Sequence, residues 1–490
     1  TIYREVKIAK LGKTNNGRIG HSDSGRRHCW SCDFTCSAQG IKSIVLEKSE
    51  SVRSEGAAFG IQTNGWLALQ QLGVADKLRL NSLPIHQIRD VMIEKKIKQR
   101  ESVGPASHGE VRGVIRNDMV RALAHALPVG TLRLGSQIVS VKLDEATSFP
   151  NVHLRNGQDI KAKVLIGCDG SNSIVSKFLG LNPTKALDSR AVRGFTNYPN
   201  GHVFQQEFIR IKMDNVVSGR LPITHNLVFW FVVMLKCPQD SNNLKNQEDV
   251  ARLTLASVCQ FSEEWKEMVK KCDIDSLYIS RLRYRSPWDV MSSKFRRGTV
   301  TVAGDSMHLM GPFIGQGCSA ALEDGVVLAR CLWSKLGQDG MNNVSSRKQI
   351  EEAIDEYVRE RRGRLVGLST QTYLTGRLIE ASSPATKLLL IYKITWNNLL
   401  FMAVEFSQGY HWVSYALEVD LLEMAPERPS LECPGCTITT ATSTISCYQS
   451  YIMCSGPSWL NQLIQEEAVV DVAPDWDSSK PFNVAGSLEM

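Results

Sequence analysis

Apolar positions along this chain repeat with two different periods, and the alternation between them outlines the fold. Residues 41–48, IKSIVLEK, are a short β-rich run ending in Glu47 and read as a buried parallel strand. From Asn64 to Leu72 the apolar residues fall at helical spacing, and Gly73 closes the helix. The stretch 111–127 passes from a strand into a helix that carries Met119, Leu123 and Leu127 on one side. Residues 132–144 and 151–170 alternate as strands, RNGQD at 155–159 reads as a hairpin turn, and the last strand runs into Asp169 and Gly170. Further on come the β-rich pieces HVFQQEFIRIKM (202–213) and HNLVFWFVVML (225–235), then a helical stretch at 249–272. A strand returns at Val300, a long helix follows, and the amphipathic run 349–376 is a packing helix with a solvent face.

Strands alternating with helices in this way predict an α/β nucleotide-binding domain with a β-rich insertion. The expected divisions are an aberrant N-terminal segment (1–40), a first cofactor-domain part (41–185), a β-rich region walling a ligand cavity (186–290) and a second cofactor-domain part (291–370). A helical region (371–425) and a loose tail (426–490) complete the chain.

With 490 residues, 43% hydrophobic and 22% charged, the composition is that of an ordinary soluble globular protein with a large core. The formal charge of +7 is spread along the chain, which favours anionic ligands such as phosphorylated cofactors over nucleic acid. No apolar run reaches the roughly 20 residues of a membrane span. Cys29, Cys32 and Cys36 crowd together among 13 cysteines, but without a matching Cys/His group they predict free thiols and no metal site. The first forty residues are basic and poor in acids, as in an organelle-targeting segment, yet lack a Met start and a clean amphipathic pattern, so localisation stays open between cytoplasm and plastid.

The chemistry concentrates in GDSMHLMGPFIGQG, Gly304 to Gly317. A strand-end Asp305 is placed to accept hydrogen bonds from sugar or ribityl hydroxyls beyond the sheet. Pro312 fixes its φ, Gly315 and Gly317 let backbone approach a flat ring, and a helix starting near Gly315 would favour negative charge on that ring.

This segment resembles the flavin motif of the single-component aromatic-ring hydroxylases, the FAD-dependent monooxygenases related to salicylate and 4-hydroxybenzoate hydroxylases and to zeaxanthin epoxidase. The resemblance runs from about residue 40 to about 370 and is especially close to plant members. VLIGCDGSNSIVSKFLG is similar to the family's Asp-Gly motif, so Asp169 and Gly170 are implied to lie where flavin and nicotinamide cofactor pass, with Ser176 in place of a usual basic residue. Arg116 falls where the family sets an arginine against the flavin, and Glu47 where an acid holds the adenosine ribose. The implied fold is an FAD/NAD(P)-binding Rossmann-like domain with an inserted β-rich substrate domain. The implied activity takes FAD, NAD(P)H and molecular oxygen and transfers one oxygen atom to a small hydrophobic or aromatic substrate, by hydroxylation or epoxidation. A flavin-dependent reductase or oxidase, or a cofactor-free binding protein, stays open on the same scaffold; a halogenase is disfavoured because no Trp-x-Trp-x-Ile-Pro segment occurs. No general base is assigned. His225, Tyr284 and His308, with Arg283 and Arg285, are candidates for the cavity edge, each with a purely structural alternative.

One half of the expected cofactor site is missing. Where the family has Gly-x-Gly-x-x-Gly ahead of Glu47, this chain has Ser24, Arg26 and Cys29, whose side chains obstruct the close approach of a pyrophosphate. Permitted codons for Gly20 to Gln39, read one nucleotide later, encode DIVIVGAGIAGLATSLALH, which is an apolar strand, a glycine fingerprint and the start of a helix. The segment therefore reads as an out-of-frame version of a normal family N-terminus, its first strand and phosphate loop damaged; a divergent terminus is the alternative.

Overall fold

The computed structural model describes residues 43–394, apart from 53–56, 95–97, 107–108, 237–245, 337–345, 382 and 384. The aberrant segment with Cys29, Cys32 and Cys36 and the tail 426–490 lie outside the described residues. In chain order the first half contains β1 (Val45–Leu46), β2 (Ala58–Ile61), α1 (Thr63–Gln71), α2 (Ala75–Arg79), β3 (Gln87–Glu94), β4 (Lys98–Pro105), β5 (Arg112–Ile115) and α3 (Arg116–Ala126). Next come β6 (Leu132–Arg133), β7 (Ile138–Leu143), β8 (Pro150–Leu154), β9 (Asp159–Lys161), β10 (Leu165–Gly167) and α4 (Ile174–Phe178). The inserted region holds β11 (Lys185–Asn197), β12 (Glu207–Met213), β13 (Val216–Pro222), β14 (Leu227–Met234), α5 (Gln247–Ser257), α6 (Glu263–Lys270) and β15 (Tyr278–Tyr284). The chain then makes α7 (Pro287–Ser292), β16 (Arg296–Arg297), β17 (Val300–Val302), α8 (Asp305–His308), α9 (Gly317–Leu336) and α10 (Ser346–Glu380).

Parallel pairs β1–β6 and β10–β17 mark the nucleotide-binding unit, and their residues from Ile44 to Val302 join α1, α3, α9 and α10 in one apolar core. The predicted hairpin at 155–159 joins β8 to β9, with Gly157 supplying the positive φ its turn requires. The Rossmann-like domain and its β-rich insertion are thus both present.

The insertion is a seven-stranded sheet in the order β15-β11-β14-β13-β12-β3-β4. Five of its strands pair antiparallel within 185–284, whereas β3 and β4 come from 87–105 and join through a parallel pairing of β3 with β12. One sheet face is covered by α5 and α6 through Val232, Trp230 and Trp265. The opposite face looks toward the nucleotide-binding unit. There Phe195, Leu221 and Phe229 pack on Ala58, while Ala191, Val233 and Leu282 meet Phe313 and Ile379.

Candidate functional site

β10 and β17 run side by side with Ile166 opposite Thr301, so the loops after both strands emerge at the same edge. The first loop carries Asp169 and Gly170, the second Gly304 and Asp305. Ser306 ties them together: its hydroxyl accepts from the Gly170 amide at 2.8 Å and donates to Asp169 Oδ1 at 3.2 Å. Asp169 also accepts from the Ser173 hydroxyl and, at 2.5 Å, from the Ile174 amide. Burial nevertheless pushes its carboxyl above the ordinary range, against the pull of these hydrogen bonds. Ser176, where a basic residue is usual, is buried and donates to the Ser306 carbonyl at 2.8 Å. A long cation at that position would have to leave this packing.

The second loop differs from the expected strand-to-helix step. Gly304 has φ 61° and ψ −143°, a backbone open to glycine, and its carbonyl accepts from the amides of Met307 and His308 at 2.8 and 2.9 Å. Asp305 therefore opens the one-turn α8 instead of ending β17. Pro312–Ile314 then form a 3-10 turn, and Gly315, at φ 67°, stops it in the left-handed region. The long helix α9 starts only at Gly317, two residues later than the sequence spacing suggests, because Gly315 cannot be part of it.

The first turn of α9 is where the predicted residues converge. Burial pushes the Cys318 thiol up to about 12, with Arg116 pulling it down and Asp305 pushing it further up, so both charges act on this turn. Arg116 and Asp305 are themselves buried, and Arg116 lies 5.5 Å above the Phe59 ring. Pairing of β2 with β5 brings Phe59 there: Arg116 follows β5 directly and its amide donates to Ala57 at 3.0 Å. Glu47 stands apart from this group at the end of β1. It is buried, with its amide on Arg133 and a carboxylate oxygen accepting from the Ser49 amide at 3.2 Å.

Sequence reasoning missed the clamp that fixes α9. Gln62 donates through its side-chain amide to the Ile314 carbonyl at 2.9 Å, and Asn64 donates to Gln316 at 3.1 Å and to Glu323 at 2.6 Å. Gly65 lets α1 approach closely, since a Cβ there would lie 2.6 Å from Ser319 Oγ. Further along α9, Asp324 sits between His308 Nε2 at 2.6 Å and Arg361 Nε at 2.7 Å. Burial alone would raise its carboxyl, but His308 and Arg361 hold it well below the usual range. His308 is thus a fully buried support beneath the loop and not a cavity-lining group. Its sequence signal, a histidine four residues into the motif, carries no information about Asp324.

Of the other cavity candidates, His225 is exposed on the turn between β13 and β14. Arg283 is spent on the Thr184 hydroxyl and carbonyl at 3.0 and 2.8 Å. Tyr284 and Arg285 do line a small crevice of about 20 Å³ with Gly311, Phe313 and Tyr373, beneath the end of α10. Arg285 donates to the carbonyls of Asn182 at 2.6 Å and Ser306 at 3.3 Å, bracing the same junction from below.

The donor and acceptor set fits the isoalloxazine and ribityl parts of FAD. The first amides of α9 have no partners within their own helix and point with its dipole, as a ring carbonyl requires. The buried carboxylates of Asp305 and Glu47 suit sugar and ribityl hydroxyls, which are donors. The stretch ahead of Glu47, where the family's glycine fingerprint is expected, lies outside the described residues.

Known proteins resemble this chain in sequence and in fold. The FAD binding domain family matches residues 36–364. "Monooxygenase 1" of Arabidopsis thaliana is 60% identical over 356 residues, which is 72% of this chain and 88% of the relative. "Monooxygenase 2" of the same plant is 36% identical over 348 residues, 69% of this chain and 84% of the relative. Klebsiella pneumoniae HpxO, solved with FAD and uric acid, has the same fold, with a TM-score of 0.62 at 16% identity over 81% of this chain and 93% of its own.

Proposed function

The chain belongs to the FAD binding domain family and to its FAD-dependent monooxygenases, and from that premise we propose that it uses NAD(P)H and O2 to hydroxylate or epoxidise a small aromatic or alkene substrate. The observation that supports this reading is that the loops after β10 and β17 emerge at one edge, tied together by Ser306, with Gln62 and Asn64 fixing the start of α9 beside them. When bound, FAD supplies the electron transfer and oxygen activation. The protein's part is to bind, orient and exclude water.

In this reading Asp305 and Glu47 hold hydroxyls of the cofactor, and Pro312, Gly315 and Gly317 keep the loop thin beside its ring. The amides opening α9 stabilise negative charge on the ring, an effect of about 0.3–1 kcal/mol for an exposed charge and up to about 2 kcal/mol when partly buried. Arg116 covers the cofactor from the β2–β5 side, and Asp169 with Gly170 borders the passage of the nicotinamide. The Gln62 and Asn64 clamp and the His308–Asp324–Arg361 support keep α9 from drifting. Such rigidity matters because the stabilising dipoles must already be in place when charge develops.

Turnover under 18O2 with NADH or NADPH tests this. One labelled oxygen atom in an aromatic or alkene product is the expected result. NAD(P)H consumption that leaves every such substrate unlabelled would overturn the monooxygenation step in favour of a reductase or oxidase.

The N-terminal segment belongs to the same proposal. The family expects a glycine fingerprint ahead of Glu47, and the alternative reading of Gly20 to Gln39 supplies it. We take the natural protein to carry DIVIVGAGIAGLATSLALH there. Transcript sequence across codons 15–42 with an unbroken frame and no fingerprint would refute this.

A further inference from the structure

The small crevice beneath the end of α10 is built from three pieces of chain that lie far apart in sequence. Tyr284 and Arg285 border it at the end of β15, Gly311 and Phe313 from the loop around Pro312, and Ser369 and Thr372 from α10. Loop and helix are held together there: Thr372 Oγ1 donates to the Gly311 carbonyl at 2.9 Å, and Gly376 leaves room for Phe313, whose ring would lie 2.5 Å from a Cβ at that position. Within this packing two polar atoms have no hydrogen-bond partner, Arg285 Nε and Ser369 Oγ. Both residues line the crevice, and both are buried, at 3% and 2% exposure. Buried polar groups are normally satisfied, so two such atoms on one crevice point to an occupant.

Charge decides what kind of occupant it is. Arg285 spends Nη1 and Nη2 on the carbonyls of Asn182 and Ser306, which are neutral. Among the described residues no carboxylate pairs with it: Asp289 acts on it from farther off and accepts from Asn182 at 2.7 Å, while Glu380 at the crevice is taken by Arg377 at 3.3 Å. Burial accordingly holds the Arg285 guanidinium below the ordinary arginine range. A buried cation without a counter-charge is costly, and the apolar side chains of Leu187, Met310 and Phe313 around the crevice do not screen it. Size narrows the choice further. A single water-sized occupant needs roughly 10–15 Å³. The crevice, at about 20 Å³, thus admits one halide-sized ion and excludes any organic acid.

We propose that this crevice is a binding site for one chloride-sized inorganic anion, which accepts hydrogen bonds from Arg285 Nε and Ser369 Oγ. Bound there, the ion neutralises Arg285 and joins the end of β15 to α10 beside the Gly311–Phe313 loop. Because Arg285 also donates to the Ser306 carbonyl, the same ion stiffens the junction of the loops after β10 and β17. The site lies outside the proposed reaction and does not depend on it: the ion is neither substrate nor reactant, and no bond is made or broken.

Thermal unfolding of the full chain in sodium chloride, set against sodium gluconate at equal ionic strength, tests the proposal. Chloride should raise the midpoint saturably, by about 2–4 °C at about tenfold excess over its dissociation constant, and gluconate, too large for the crevice, should not. Bromide should act as chloride does, and crystals grown in bromide should show its anomalous signal between Arg285 and Ser369. Ser369→Ala should weaken the apparent chloride affinity about tenfold, as loss of a hydrogen bond to a charged group implies, and Arg285→Met should remove the effect. Should Arg285→Met fail to fold, Ser369→Ala and Arg285→Lys decide, and an undiminished chloride effect in both overturns the assignment. Equal midpoints in chloride and gluconate, water alone in the crevice of the bromide crystals, or bromide seated there without a saturable shift in solution would each overturn it as well.

Discussion

Single residues in this molecule act through partners far away in sequence, and Glu323 shows how that controls the response to pH. Burial alone would raise its carboxyl, but Arg364 and Arg361 hold it down to about 2. The unfolded value is near 4.3, so the native state binds the proton less readily than the unfolded one. The stabilisation is complete above about pH 4.3 and is lost as pH falls through about 2. Melting temperature followed from pH 6 to pH 2.5 should therefore drop more steeply in the parent than in Glu323→Gln, which at pH 7 should be less stable by about 1.5–3 kcal/mol. A parallel decline in both proteins would show that other carboxylates dominate. Asp169, Gly170 and Asp305 were legible in the sequence because they sit in contiguous motifs. Ser306, Gln62 and Asn64 were not, since each acts on a loop more than 130 residues away.

At the scale of elements, the junction of β10 with α4 is the tightest test of packing. Gly167 faces Val175, and a Cβ there would lie 2.4 Å from the Val175 Cβ. A β-branched side chain on a short helix has little freedom to yield. Gly167→Ala should thus destabilise the protein by about 1–3 kcal/mol, and adding Val175→Ala should return part of the loss to the clash while opening a small void. Urea unfolding of the two variants measures it, and an unchanged midpoint in Gly167→Ala would contradict the geometry. Periodicity located most helices and strands, including the hairpin at 155–159. It did not reveal that β3 and β4 join the inserted sheet. Gln87–Glu94 and Lys98–Pro105 are rich in charge, and their place depends on a partner in β12 that local pattern cannot name. The delayed start of α9 was likewise hidden, because only the φ of Gly315 decides where the 3-10 turn stops.

Across the whole molecule the described core and the aromatic wall pack around the loops after β10 and β17, and the expected phosphate loop is a proposal for the 1–40 segment. Two chains should behave differently on purification: the 490-residue sequence with little bound FAD, and the same chain carrying DIVIVGAGIAGLATSLALH in place of 20–39 with close to one FAD per chain. Visible absorption and released flavin measure this. Equal, stoichiometric flavin in both would show that the present terminus binds phosphate by another route.

The parallel pairing of β3 with β12 has a consequence for synthesis. Arg210 lies 120 residues beyond Asp90, so during translation the inner edge of β3 emerges long before the strand that will cover it. For that interval a nascent chain exposes an open template on which a neighbouring copy could nucleate aggregation. Arg89 and Asp90, which in the finished protein pair with Glu207 and Arg210, stand on that strand as charges throughout the wait. The charges that later fasten the sheet as ion pairs therefore stand where gatekeeper residues are placed, on a strand that waits for its partner.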